Sequence, residues 1–218
     1  MADLTAYHLA ELEVIRNRAD PRRQVPDYDC TGWDVLDVGC GIGQTLSAPE
    51  FAAARSRHGI DVDSQAIAVG HEVFPQFTLQ VASAEKIPYP DGHFHLVYSR
   101  VALPYTNVPV ALAEILRVTR AGGAVWLLLH SWGLERAAWF EAARRLRLRR
   151  LFDRTYVLAN SLTLAATGRC FARPWSETYE SFQFAGSMTR LLKGMSLCDV
   201  RRPAGKQLCL AARKAPAP

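Results

Sequence analysis

Two hydrophobic periods alternate along this chain. Residues 4–18 (LTAYHLAELEVIRNR) place Leu4, His8, Leu12 and Ile15 near one face of a helix, which Asp20-Pro21 ends. Short β-branched runs follow at Trp33–Gly39, Arg57–Asp63, Phe77–Ser83, Phe94–Ser99 and, after Gly122-Gly123, Ala124–His130. Between them, helical patterns start at Gln44, at Ser64 with its own hydroxyl as the N-cap, and at Pro109, whose ring suits a first turn. Strands alternating with helices predict βαβ units, and therefore a parallel sheet with helices on both faces.

The end of the chain breaks that alternation. SLCDVRR and KQLCLAARK are strand-like and are separated only by Pro203-Ala204-Gly205. So short a connection excludes a helical crossover and predicts an antiparallel hairpin. The expected fold is α/β: a seven-stranded, mostly parallel sheet with a C-terminal antiparallel hairpin. Residues 1–218 read as one domain, with an N-terminal helical cover over 1–30. Residues 131–196, between the fifth and sixth strands, are too many for one helix and read as an insertion.

Composition narrows the class. Hydrophobic residues make up 49% and charged residues 22%, which excludes disorder and collagen-like repeats. The longest apolar run, Ala124–Leu129, is far short of the roughly 20 residues that cross a bilayer. The first residues lack the basic start and apolar core of a secretory signal. Five cysteines with no CxxC pair argue against a disulfide framework and against a zinc cluster, so no metal site is expected and the location reads as cytoplasmic. The net charge of +5 comes mostly from arginine, concentrated at Arg144–Arg150. On a helix these arginines point in many directions, as a solvated helix does, without the segregated face of a membrane binder. Neither a membrane nor a nucleic acid is therefore expected as a partner.

The chemistry begins at Val35–Gly43 (VLDVGCGIG), where three glycines follow a predicted strand. Glycines there let the backbone turn sharply and approach a ligand closely. The spacing is GxGxG, and Gln44 stands where a dinucleotide fingerprint has its third glycine. Asp61 lies 22 residues beyond Gly39, at the end of the second strand, where an acid can accept from both hydroxyls of a ribose. Loop and acid together predict a nucleoside-containing ligand at the carboxyl ends of the strands.

VLDVGCGIG, GIDVDSQAI, SAEKIPYPDGHFHLVYS and ALAEILRVTRAGGAVWLL, in this order, resemble the motifs of the class I S-adenosylmethionine-dependent methyltransferases, of the small-molecule group that includes ubiquinone/menaquinone biosynthesis. The resemblance covers roughly residues 33–130 and implies a Rossmann-like sheet and S-adenosyl-L-methionine as cofactor. It implies that Gly39, Cys40, Gly41 and Gly43 run under the methionine part, with Asp37 steadying the loop or meeting the amino group. It implies Asp61 on the ribose, Val62 against the adenine, and Ala84 with Ser83 at the adenine edge. Ser99 would face the methionine end and the acceptor entrance. Three positions depart from the motifs: Ser83 and His95 replace acids, and Ala121 replaces the proline of a Pro-Gly-Gly turn.

A methyl group on a sulfonium is already activated, so alignment and exclusion of water carry much of the chemistry. A base is required only for a protonated acceptor. His130, at the end of the fifth strand, is the candidate base, since an imidazole titrating near about 6.5 suits a phenolic proton; a strand-end cap is its alternative role. Tyr105 is a candidate to orient the acceptor or form its wall. Tyr7 and His8, on the N-terminal helix that in this family often closes over the cofactor, and Arg100, next to Ser99, are further candidates for ligand contact, with core or surface contact the simpler reading. About half of the chain's Phe, Trp and Tyr residues fall between Trp132 and Phe184. This fits an aromatic lid over a small apolar or aromatic substrate, and equally a satellite core or a contact with a second copy. The expected function is methyl transfer to such a molecule, O-methylation before N- or C-methylation. The alternatives are a non-catalytic S-adenosylmethionine-binding partner protein and a nicotinamide-dependent oxidoreductase.

Overall fold

A computed structural model describes residues 2–130, 139–141, 144–145, 148–194, 197–201 and 208–216. Seven strands form one sheet: β1 (Asp34–Val38), β2 (Ser56–Asp61), β3 (Thr78–Val81), β4 (Phe94–Arg100), β5 (Thr119–Leu129), β6 (Leu197–Arg201) and β7 (Leu208–Lys214). Their order is β3-β2-β1-β4-β5-β7-β6. The first five strands are parallel, and β7 pairs antiparallel with both β5 and β6. The mostly parallel sheet and the C-terminal hairpin are thus both present; the link 202–207 lies outside the described residues.

Helices cover both faces, as the βαβ pattern requires. On one face α1 (Ala2–Arg16) and α2 (Ser64–Val73) bury Leu12, Ile15, Ala66 and Ile67 against Val35, Leu96 and Tyr98. On the other, α3 (Val108–Val118), α4 (Leu148–Thr167) and α5 (Ala185–Gly194) bury Leu112, Ile115, Leu164, Met188 and Leu192 against Leu36, Val97 and Leu127. Burying each Leu, Ile or Met side chain among these contributes about 1.5–3 kcal/mol.

Three local expectations change. The helix expected from Gln44 is replaced by two 3-10 turns, Thr45–Ser47 and Pro49–Phe51. A helix from Gln44 would carry Pro49 inside it, where it has no N–H for the Thr45 carbonyl. The turns are anchored instead by Leu46 and Phe51, both fully buried. The N-cap of α2 is Asp63, not Ser64: its carboxylate accepts the N–H groups of Gln65 at 2.9 Å and Ala66 at 3.1 Å. Asp63→Ala should therefore cost about 1 kcal/mol in urea unfolding, and Ser64→Ala almost nothing. Finally, β5 begins at Thr119, ahead of the two glycines, because Phe94 pairs with Thr119 while Leu96 already pairs with Ala124. The intervening residues loop out as a bulge, with Gly122 at φ +71.

Among the described residues of the Arg144–Arg150 segment, Arg144, Arg145, Arg149 and Arg150 are exposed, as solvated side chains are; Arg145 stands in a turn and Arg149 and Arg150 in α4, while Arg147 lies outside the described residues. No described helix is long and apolar enough to cross a membrane.

Candidate active site

Strand β1 lies between β2 and β4, so the chain leaves it toward one side and later returns on the other. Ligands of such sheets bind at this switch point, beyond the carboxyl ends of the strands. There the glycine loop closes on itself. The N–H groups of Gly39 and Cys40 both donate to the Ile60 carbonyl, at 2.8 and 3.0 Å, and Gly43 donates to Cys40 at 2.9 Å. Gly41 donates to the Asp61 carboxylate at 2.8 Å, and Ile42 to the Gln44 side-chain oxygen at 3.1 Å. Every N–H from Gly39 to Gly43 is thus satisfied from within.

Two of the glycines are required by space. Gly39 has φ +83, and a Cβ built on it would stand 2.0 Å from the Cβ of Ala102. Gly41 has φ +56, and its Cβ would stand 2.5 Å from the ring of His8. Ala102 is brought this close by Val101, a β-branched residue at φ +65 whose N–H donates to the Leu128 carbonyl at 2.9 Å. Such a conformation costs on the order of 1–3 kcal/mol and is typical of functional sites.

Two cavities meet over this loop and share Gly39, Asp61, Ala102 and Tyr105. One, of about 580 Å³, is bounded by the loop, His8, Glu11, Arg100 and His130. The other, of about 440 Å³, is bounded by Val62, Ser83, Ala84, Glu85 and Tyr179. Together they form a crevice across the ends of β1, β2 and β4. Arg100 donates to Glu11 at 2.7 Å, with both side chains mostly buried, and so ties the end of β4 to α1. The rings of Tyr105 and His130 meet edge to face at 5.6 Å.

Beneath the loop lie polar groups without partners. Asp37 is almost fully buried, and its Oδ1 has no hydrogen bond; nor do the Tyr98 hydroxyl and His8 Nδ1. Burial raises the Asp37 carboxyl to about 8; the Tyr98 hydroxyl beside it counters this in part, and the Asp61 charge adds to it. Burial likewise raises the Tyr98 phenol and the Cys40 thiol well above their usual ranges.

The structure gathers Gly39, Gly41, Asp61, Val62, Ser83, Ala84, Tyr105 and His130 around one crevice. Val62 is 71% exposed there, open to a planar group. Asp37, Cys40, Gly43 and Ser99 do not line it. Gly43 abuts Phe77 and Leu79, and Cys40 turns its thiol toward Gly59 in the core. Ser99 is fully buried on the opposite sheet face from Asp37. Sequence reasoning missed Gln44, which fixes the loop, and Glu11. It also undervalued His8 and Arg100. The substituted Ser83 accepts the N–H of Glu85 at 3.1 Å and so stabilises a turn.

These residues fit S-adenosylmethionine. Gly41 presents bare backbone to the crevice, the Asp61 carboxylate keeps lone pairs for hydroxyls, and the unpartnered Asp37 oxygen beneath the loop suits an ammonium. The comparisons agree. Residues 36–127 match the methyltransferase domain family. The chain is similar to the ubiquinone/menaquinone biosynthesis C-methyltransferase UbiE of Burkholderia multivorans, 35% identical over 109 residues, covering 44% of this chain and 43% of that protein. It is similar also to the malonyl-[acyl-carrier protein] O-methyltransferase of Pectobacterium atrosepticum, 30% identical over 96 residues, covering 44% and 38%. The chain thus spans less than half the length of the curated relatives it matches. Among solved structures, YcgJ of Bacillus subtilis superposes with a TM-score of 0.56 at 14% identity, covering 87% of this chain and 95% of that one. An S-adenosylmethionine-dependent methyltransferase of Mesorhizobium loti gives 0.56 at 14%, covering 94% and 96%. Residues 36–127 thus match the methyltransferase domain family, and the fold is that of solved S-adenosylmethionine-dependent methyltransferases.

Proposed function

We propose that this chain transfers the methyl group of S-adenosylmethionine to a small apolar or aromatic acceptor, O-methylation being the first reading. The observation that carries the proposal is the self-satisfied glycine loop. A dinucleotide site needs free backbone N–H groups and a helix N-terminus for the pyrophosphate. Here all five N–H groups are taken, and 3-10 turns stand where that helix would begin. The oxidoreductase alternative is disfavoured on both counts. A cationic cofactor needs neither, and meets the carboxylates of Asp61 and Glu11 at the crevice.

When bound, S-adenosylmethionine supplies an electrophilic methyl group. Asp61 holds the ribose hydroxyls while keeping the Gly41 N–H, so it orients the ligand and the loop together. Val62, Ser83 and Ala84 receive the adenine. Asp37 and His8 serve the methionine end. His130 takes a proton from the acceptor, and Tyr105, ring against ring, fixes the imidazole and walls the acceptor space. From the insertion read over residues 131–196, Glu177, Thr178 and Tyr179 border the crevice and would contribute to a substrate cover; residues 131–138, 142–143, 146–147 and 195–196 lie outside the described residues. The similarity to UbiE favours C-methylation as a second reading, and His130 would serve it by deprotonating an enol or phenol.

Calorimetric titration with S-adenosylhomocysteine and, separately, NAD tests the reading. The first should bind and the second should not. Asp61→Ala should weaken binding by about tenfold or more, the loss of hydrogen bonds to a charged group. Binding without turnover of a labelled methyl group against any aromatic acceptor would favour the non-catalytic alternative. No binding of S-adenosylhomocysteine would overturn both.

A further inference from the structure

His95 and Ala121, two departures from the methyltransferase motifs, lie at the other end of the sheet. There a cavity of about 470 Å³ opens, lined by Trp33, His95, Arg120, Gly122, Gly123 and Arg213 among others. These residues stand where β1, β4 and β5 begin and β7 ends. Strand β4 takes five steps from His95 to Arg100, about 17 Å, so the length of the sheet separates this cavity from the crevice.

The His95 ring stacks on Trp33, with centroids 6.0 Å apart and planes at 20°. Both of its nitrogens face donors. The Asp34 N–H donates to Nδ1 at 3.2 Å, and Arg120 Nη1 lies 2.6 Å from Nε2. A neutral imidazole has one acceptor nitrogen and an imidazolium has none. In every protonation state, therefore, at least one N–H points at another N–H. The nearest carboxylate, Asp34, is 3.6 Å from Nδ1 and already serves Arg55 and Ser56. Burial and then Arg120 lower the affinity of the ring for a proton; Asp34 opposes this, while Arg55 and His93 add to it. No acidic residue lines the cavity.

We propose that this cavity binds a phosphate group, whose oxygens accept from the guanidinium of Arg120 and the Nε2–H of His95 on the cavity side, with Arg213 at its wall. An oxyanion supplies acceptors to both donors at once, which no described side chain there does, and three phosphate oxygens suit a convergent cationic set. Trp33 gives the site an apolar wall, so an aromatic phosphate monoester should bind more tightly than the free ion.

The test is a titration of the full chain with inorganic phosphate and, separately, phenyl phosphate, at ionic strength held constant with chloride, read by ¹H–¹⁵N shifts of the His95 ring and the Trp33 indole. Saturable shifts are expected with both. Tighter binding of phenyl phosphate identifies a monoester as the ligand, and equal binding identifies the free ion. His95→Asp, which restores the acid of the motif, and Arg120→Ala should each weaken binding by about tenfold or more. S-adenosylhomocysteine affinity should be unchanged in both variants, which also verifies their fold and keeps this test independent of the methyl-transfer reading. Arg120→Ala, at an exposed side chain, decides the matter if His95→Asp does not fold. Shifts that fail to saturate, that persist equally in Arg120→Ala, or that appear at the crevice instead of His95 would overturn the proposal.

Discussion

Gly39→Ala is expected to destabilise the protein by about 4 kcal/mol, whereas Gly43→Ala should cost only about 1 kcal/mol. Both glycines have positive φ, +83 and +86, so the backbone penalty is shared. Their surroundings differ. An added Cβ at Gly43 meets Phe77 and Leu79 at 3.4 Å or more, an ordinary contact, while at Gly39 it lands 2.0 Å from the Ala102 Cβ. Ala102 cannot step aside easily, because Val101 is held by its bond to Leu128 at 2.9 Å. Ala102→Gly in the Gly39→Ala background should therefore recover about 1–3 kcal/mol, the steric part, and leave the φ penalty. Urea unfolding of the four proteins of that cycle measures the coupling. Zero coupling would mean that the loop and the end of β4 do not touch as described.

That contact shows what the sequence could and could not disclose. GxGxG after a β-branched run identifies a tight loop at a strand end, because glycine spacing and local periodicity are short-range properties. Which glycine is indispensable depends on Ala102, more than sixty residues away, brought there by the pairing of β4 with β1. His8 escapes for the same reason: on its helix it is a half-apolar residue, and only the fold lays its ring on Gly41. The error at Gln44 is of another kind. Pro49 was visible and forbids a helix there, but the expected helix of the alternating pattern outweighed it. Asp63 and Ser64 are both good caps, so sequence alone cannot choose between neighbours. His95 looked like a defect in a cofactor motif, yet it stands at the start of β4, a strand's length from the crevice. Topology decides whether a substitution bears on the site.

Asp37→Asn should stabilise the folded protein, and by an amount that grows with pH. Burial raises the Asp37 carboxyl to about 8. Between its unfolded value, about 4, and that value the native state holds a proton that the unfolded chain has released, so stability falls as pH rises. The difference between wild type and Asp37→Asn should be small at pH 4, increase by about 1.4 kcal/mol per pH unit, and reach about 4 kcal/mol by pH 7. Paired urea unfolding across that range separates this carboxyl from those not coupled to it. The same substitution should weaken S-adenosylhomocysteine binding, because an amide offers no charge to the ammonium that the carboxyl would meet. Stability and affinity would then move in opposite directions at one buried atom, which marks a group kept for its ligand at the expense of the fold. A stability difference that stays flat with pH would instead show that Asp37 is ionised in the free protein, and that the oxygen left without a partner finds one in solution.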